Sequence, residues 1–380
     1  MRPAARPRSL HRLRSDIEAL SAAELPAARL RMEAAERLRN LIPVDGFCVS
    51  SADPDSLLIT ATDAENIEPS LAGAFYENEY AQRDFAKHEQ LIGSRRRVRV
   101  LAQETEGELR RSQRYRRIVR PMGFHHELRA ALVERGTAWG FVHLYRRAER
   151  CAFAADEVAA VERAAAPLAS GLRAAAGAGA AGPPSHEAAP AVLLLAGDDR
   201  LLGSSGPLER WLGTMRDPLR TTPGPVPEVV HSVASSTRRR DLAGDRRGAT
   251  ARVQAADGSW WTVHGSVADE ATGADGTAAR PSAPGGRTGS GPAGWEVTVI
   301  VTPASGGELT GMMMSSLRLS PGERAVCERL LAGLPTKLIA AEMSLSTHTI
   351  EDRLKVIFAK AGVASRQELV ARLNPAGTPR

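Results

Sequence analysis

The chain is poor in cysteine, in aromatic residues and in long apolar runs, and each shortage excludes something. Three cysteines, Cys48, Cys151 and Cys327, stand far apart in 380 residues. They cannot supply a disulfide framework or a C-x-x-C metal pair, and they read as small apolar side chains in a reducing compartment. No run of about 18 apolar residues occurs, so no membrane-crossing helix is expected. The arginine-rich start has no apolar stretch behind it, which is not how a secretory signal is built, and the expected location is the cytoplasm. There is no G-x-x-x-x-G-K-[ST] phosphate loop, no G-x-S-x-G elbow and no acid cluster followed by a strand-end lysine. The expectation is therefore a non-enzyme without a cofactor. His125-His126-Glu127 and His143 hint at a metal. No third ligand falls at a fixed spacing, and no metal site is assigned.

What is present is ordinary in bulk and informative in detail. The composition is 43% hydrophobic and 25% charged, with net charge +6. That length and balance suit two or three soluble domains, and the basic excess suits a polyanion only weakly. The arginine runs at 95–97 and 238–240 lack a glycine cradle and read as solvated loops. Abundant Ala, Arg and Gly with few Lys fit a GC-rich genome.

Pattern divides the chain. Residues 1–26 read as a basic arm. Over 27–176 the order is helix–strand–strand–helix–strand–strand–helix, an α+β plan. Within it, residues 138–145 alternate, with Trp139, Phe141, His143 and Tyr145 assigned to one face and Val142 and Leu144 to the other. The Gly/Ala/Pro-rich stretch 177–189 reads as a linker. A second α+β block spans 190–302, with a hairpin at Asp257-Gly258. Its Gly/Ala/Ser/Pro-rich insertion at 270–294 is expected to be disordered. Residues 303–316 read as a tether, and 317–373 as an all-α four-helix module.

That last module carries the densest local signals. Ser320-Pro321-Gly322-Glu323 is a capping box with proline at the first helical position. Val326, Leu330 and Leu331 form the stripe of a first helix that Gly333 stops. A second helix, about 336–343, buries Leu338, Ile339 and Met343. After the tight turn Ser344-Leu345-Ser346, a third helix, about 347–360, turns Ile350, Leu354 and Ile357 inward. Gly362 ends it, and Ser365-Arg366-Gln367-Glu368 opens a fourth. A tight turn between the second and third helices is helix-turn-helix geometry, which places the third in a major groove. Its outward face carries Thr347, His348, Glu351, Asp352 and Lys355. Thr349 sits at its start, where backbone N–H groups suit a phosphate. Lys337, Arg353, Lys360 and Arg366 are further candidates for phosphate contacts. Nine Lys/Arg stand against six Asp/Glu over 317–373, a net of +3.

The residues Leu319-Ser320-Pro321-Gly322-Glu323-Arg324, Gly333-Leu334, Lys337-Leu338-Ile339-Ala340, Leu345-Ser346, Thr349-Ile350 and Lys360-Ala361-Gly362-Val363 resemble the LuxR-type (GerE) helix-turn-helix signature. The resemblance runs over 317–373 without a gap. It implies a transcriptional regulator that binds double-stranded promoter DNA, and a module this small suggests a homodimer on two half-sites. The sequence departs from the family at Leu338, where an acid is usual, at Glu351, where a lysine is usual, at Arg353 for histidine and at Val356 for asparagine. Glu351 accepts from a cytosine or turns toward Lys355, its i+4 neighbour. Lys355 is the first choice among the matched positions for a DNA contact.

Residues 27–176, through Ser112–Arg116, Pro121–Phe124, Glu127–Arg129, Trp139-Gly140 and Leu144–Arg147, resemble a GAF-like sensory domain of the kind found in actinobacterial regulators. Residues 190–302, through Trp211-Leu212 and Asp257–Trp260, resemble a PAS-like domain. The first resemblance implies dimerisation or a small-molecule cavity, with Phe47, Phe75, Tyr76, Tyr80, Phe124 and Trp139 as lining candidates. The same aromatics also read as plain core. Two alternatives stay open: a sensor or protein-interaction module whose helix-turn-helix has weak or no DNA affinity, and an enzyme fused ahead of a DNA reader.

Overall fold

The computed structural model describes residues 10, 12–178, 189–205, 208–215, 226–267 and 295–373. Residues 179–188 of the expected linker at 177–189 and the expected disordered insertion at 270–294 lie outside the described residues, and residues 177–178 end a helix instead. The first domain runs α1 (Arg12–Ser21), α2 (Ala27–Leu41), β1 (Gly46–Ala52), β2 (Ile59–Glu65), α3 (Ala72–Tyr80), α4 (His88–Ile92), β3 (Val98–Val100), α5 (Leu101–Glu104), β4 (His126–Glu134), β5 (Thr137–Arg146) and α6 (Ala155–Ala178). Its five strands form one antiparallel sheet in the order β2-β1-β5-β4-β3.

Part of the expected basic arm is structured. Leu13, Ile17 and Leu20 of α1 recur at helical spacing and are buried. A ten-residue helix is marginal alone, but each buried aliphatic side chain contributes about 1.5–3 kcal/mol. The helix packs against α2 and α6. Together these three helices cover one face of the sheet, with Leu30, Leu38, Leu144 and Leu168 in the shared core.

The alternation of β5 holds only in part. Phe141 packs on one side of the sheet while Trp139 packs with Val142 and Leu144 on the other. The register explains this: Leu132 faces Gly140 but Val133 faces Ala138, so Trp139 is an extra residue on its strand. A bulge of one residue breaks the period of two, and Trp139 goes to the helix-covered face.

The second domain contains β6 (Ala191–Ala196), β7 (Leu201–Ser204), α7 (Leu208–Met215), α8 (Glu228–Leu242), β8 (Ala249–Gln254), β9 (Trp260–Val267) and β10 (Trp295–Pro303). Its antiparallel sheet has the order β7-β6-β10-β9-β8. Counted from its own first strand, this is the order of the first sheet. The expected hairpin joins β8 to β9: Ser259 N–H donates to Asp257 Oδ1 (2.9 Å), and Gly258 has φ +86°.

Helix α8 belongs to both domains. It lies over β8, β9 and β10 and also packs against α3 and β2 of the first domain. Val229, Val230, Val233 and Ala234 are buried in one core with Tyr76, Tyr80 and Phe141. A helix buried on several sides needs small residues where backbones approach. Gly265 on β9 meets this need, because a Cβ there would lie 2.4 Å from Thr237 Oγ1 and 2.8 Å from Val233 Cγ1. The buried pair of Arg252 with Asp53 (2.7 Å) adds a second tie between the domains.

The C-terminal part is α9 (Gly306–Ser316), α10 (Pro321–Leu331), α11 (Thr336–Glu342), α12 (Thr347–Ala361) and α13 (Arg366–Leu373). The expected tether is thus mostly a helix. Ser305 and Glu308 form a complete capping box at its start, and Leu309, Met312 and Met313 share a core with Val326, Leu330, Ile350, Ile357 and Leu369. The other caps follow expectation: Ser320 with Glu323 on α10, Ser346 on α12, and Gly362 left-handed at φ +61° after α12. Two α+β domains on five-stranded sheets and a helical C-terminal domain therefore make up the described chain.

Candidate nucleic-acid interface

The turn before α12 is set by two local features. Ser344 takes φ +54°, and Leu345 N–H donates to Ala340 O (2.9 Å). The chain then enters α12 through Ser346, whose Oγ accepts from Thr349 N–H (3.1 Å) and contacts Thr349 Oγ1 (2.8 Å). Ile350, Leu354, Ile357 and Ala361 are buried. The 3.6-residue period therefore leaves Thr347, His348, Glu351, Asp352 and Lys355 exposed on the outer face,. Lys337 is exposed on the first turn of α11. Three of the chain's four lysines fall in this module.

Of the ten residues chosen from sequence, six point outward and four have local work. Thr349 is part of the cap. Arg353 is half-buried with its guanidinium against Gly322, where a Cβ would lie 3.1 Å from its Nη1. Lys360 Nζ bonds Glu323 Oε2 (2.6 Å) and Arg318 O (3.2 Å). Arg366 Nη2 donates to Leu334 O (2.8 Å) and Leu330 O (3.2 Å), closing the end of α10. Lys355 pairs with Asp352 (3.0 Å), three residues back, rather than with Glu351 as the i+4 spacing suggests. His348 Nε2 lies 3.5 Å from the same carboxylate. The Lys355 hydrogen bond, then the His348 charge, hold the Asp352 carboxyl below the usual range. Leu338, expected inside, is instead 54% exposed, because Ile339 and Ala340 are the residues of α11 turned to the core; Val356 is 44% exposed, and both sit where the sequence departs from the polar residues of the signature.

One junction had no local signal in the sequence. Arg318 has φ +54°, pairs with Glu134 (3.0 Å) and bonds Ser170, while its carbonyl accepts from Arg135 Nη1 (3.1 Å). Arg173 pairs with the same Glu134 (2.7 Å) and donates to Ser316 O. These contacts seat the helical module on α6 and β4.

The six aromatic candidates do not meet at one place. Phe47 and Trp139 face the helix-covered core. Phe124 stacks on Tyr145 with centroids 5.2 Å apart. Tyr80 is core, its hydroxyl accepting from Ile59 N–H (2.8 Å). Phe75 and Tyr76 do border a cavity, together with Cys48, His143, Tyr145 and Glu228 of α8, but it measures about 80 Å³. Ordinary ligand sites occupy about 300–1,000 Å³. Burial, with the Glu228 charge second, pushes the Cys48 thiol up to about 12, so it stays protonated.

The histidines have protein partners. His125 Nδ1 meets Tyr115 OH (3.1 Å), and His126 Nε2 meets Arg150 O (3.1 Å). His143 Nε2 lies 3.0 Å from His88 Nε2, within a buried cluster. There Arg129 Nη2 reaches Glu79 Oε2 (2.7 Å), His88 Nε2 (2.8 Å) and His143 Nε2 (3.2 Å). Burial first, then the Arg129 charge, push both imidazoles well below their ordinary value and keep them neutral. Among the described residues no group of three His, Cys, Asp or Glu is arranged to hold a metal ion.

Residues 317–373 match the family described as "Bacterial regulatory proteins, luxR family". The probable HTH-type transcriptional regulator GfsR of Streptomyces halstedii is 36% identical over 80 residues, covering 20% of this chain and 33% of that protein. The chain thus spans about a third of the length of the curated relative it matches. Two solved structures show looser likeness. One is the GAF domain of a phosphoenolpyruvate-protein phosphotransferase from Coxiella burnetii, at 16% identity and TM-score 0.31, over 46% of this chain and 99% of that one. The other is a bacteriophytochrome from R. palustris, at 13% and 0.32, over 78% and 70%. At those identities and scores neither says what this chain binds.

Proposed function

Because residues 317–373 form a LuxR-type helix-turn-helix domain, we propose that the protein is a DNA-binding transcriptional regulator, not an enzyme. It couples a small-molecule or partner signal at its GAF-like and PAS-like N-terminal domains to promoter binding. The observation that carries this reading is the exposed outer face of α12, capped by Ser346 and preceded by a tight turn, inside the segment that matches the family. In this reading α12 enters the major groove, with Thr347, His348, Glu351, Asp352 and Lys355 toward the bases. Lys337 contacts a phosphate. Lys360 and Arg366 reach DNA only by leaving their partners within the module, and Arg353 only by moving off Gly322. The protein acts in the cytoplasm as a homodimer on two half-sites, because one module of net +3 offers few phosphate contacts.

A second reading has its own support. Glu351 and Asp352 lie on the outer face, and Asp352 already holds Lys355. A helix so neutralised suits a module that binds DNA weakly and signals through protein contact. A mobility-shift titration on DNA upstream of the protein's own gene separates the two. The regulator reading expects a shift at low salt that weakens as salt rises. A folded protein that gives no shift at low salt defeats it, and binding gained in Glu351→Lys assigns the weakness to α12.

A further inference from the structure

A cleft lies where the three domains meet. It holds about 580 Å³, within the range of small-molecule sites and about seven times the aromatic cavity above. Its walls come from every part of the molecule. Leu25, Ala28 and Trp139 belong to the first domain, Ala256 to the β8–β9 hairpin of the second, and Met312 to α9. Trp260 closes the set: it stands on β9 but packs in the core of the helix-turn-helix module with Met312 and Leu317.

The chemistry of the walls defines the occupant. Trp139, Leu172, Trp260 and Met312 are all buried, so the floor is mainly apolar, with the indole N–H groups of Trp139 and Trp260 as its unpartnered donors. Each arginine of the wall already holds a carboxylate: Arg29 with Glu33, Arg31 with Asp63, and Arg252 with Asp53 and Asp55. The wall cations thus carry their counter-charges with them and offer an anion little net positive charge,. The remaining wall carboxylates, Glu24 and Asp257, stand at exposed positions, and Asp257 accepts from Ser259 within its own turn. We propose that this cleft binds an uncharged, predominantly apolar small molecule. Such a ligand touches both sensory domains and the core of the DNA-binding module at once, so its binding free energy depends on how the three are placed. The binding step stands by itself; its role as a signal rests on the regulator reading above.

The test uses the full chain and the uncharged dye Nile red. The expected result is saturable binding at one site per chain. Ala256→Trp, at an exposed wall position, and Ala28→Trp should each weaken it by at least about tenfold with thermal unfolding unchanged. Ala64→Phe, directed at the small aromatic cavity, should leave it within about twofold. If Ala28→Trp does not fold, Ala256→Trp alone decides. Non-saturable binding, or saturable binding that ignores the cleft variants, overturns the proposal. Mobility shifts on the same preparations keep the two readings apart. Dye binding in the cleft without DNA binding retains the site and defeats the regulator. DNA binding without dye binding does the reverse.

Discussion

The two sheets share one strand order and fill it with different chemistry. The second domain packs Leu193, Val229, Val263 and Val299 in an apolar core. The first buries whole charges: Arg129 with Glu79, and Arg114 with Glu127, each side chain at most 1% exposed. The same strand order thus carries an apolar core in both domains and, on the first, also accommodates ion pairs with both side chains at most 1% exposed. Stability distinguishes the two fillings. A buried pair is costly to desolvate and fails badly when one partner is lost, whereas an apolar core loses only in proportion to the volume removed.

That contrast can be broken by mutation. Arg129→Ala leaves Glu79 buried and charged without its cation and should cost about 3–5 kcal/mol in urea unfolding. The double variant Glu79→Leu/Arg129→Met should recover most of it. If the double variant is as unstable as the single, the pair is not the source of the loss. Leu193→Ala in the second domain should cost about 3 kcal/mol, from lost transfer energy and a cavity, with no partner substitution able to rescue it.

Acid should separate the domains as well. His88 and His143 are neutral and buried, with folded values well below the ordinary 6.5. Below about pH 6.5 the unfolded chain therefore binds more protons than the folded one. The stability they permit is present above that value and is lost as pH falls through it. Melting scans from pH 7 to pH 5 should show a falling midpoint that flattens in His88→Gln/His143→Gln; an equally steep fall in that variant would place the titration elsewhere. The smallest effect belongs to the surface. Lys337→Ala should leave stability unchanged and reduce the salt dependence of DNA binding by about 0.9 in log–log slope, the share of one phosphate. An unchanged slope removes Lys337 from the interface.

Much of the helical module was legible because its signals are local. Ser320 to Glu323, Ser346 and Gly362 act within a turn of themselves, so sequence spacing and structure coincide. The same logic would have found α9, since Ser305 and Glu308 form the same box. The candidate DNA face was legible to the extent that helical period decides exposure. It was less legible for Lys360 and Arg366, whose partners lie more than 30 residues away in sequence. The face of Trp139, one of the six aromatics, was illegible for a related reason. A single bulge reverses the parity of Trp139, and nothing in residues 138–145 announces it.

The sequence by itself determined the helix caps, the Asp257-Gly258 hairpin and the helix-turn-helix, because each rests on residues that meet within a few positions of the chain. Only the tertiary structure decided that α8 lies between two sheets, that Arg129 gathers Glu79, His88 and His143, and that three domains leave a cleft at their junction. Those features depend on surfaces brought together from distant segments. Burial and charge pairing act on such surfaces through distance in space, which spacing along the chain does not encode.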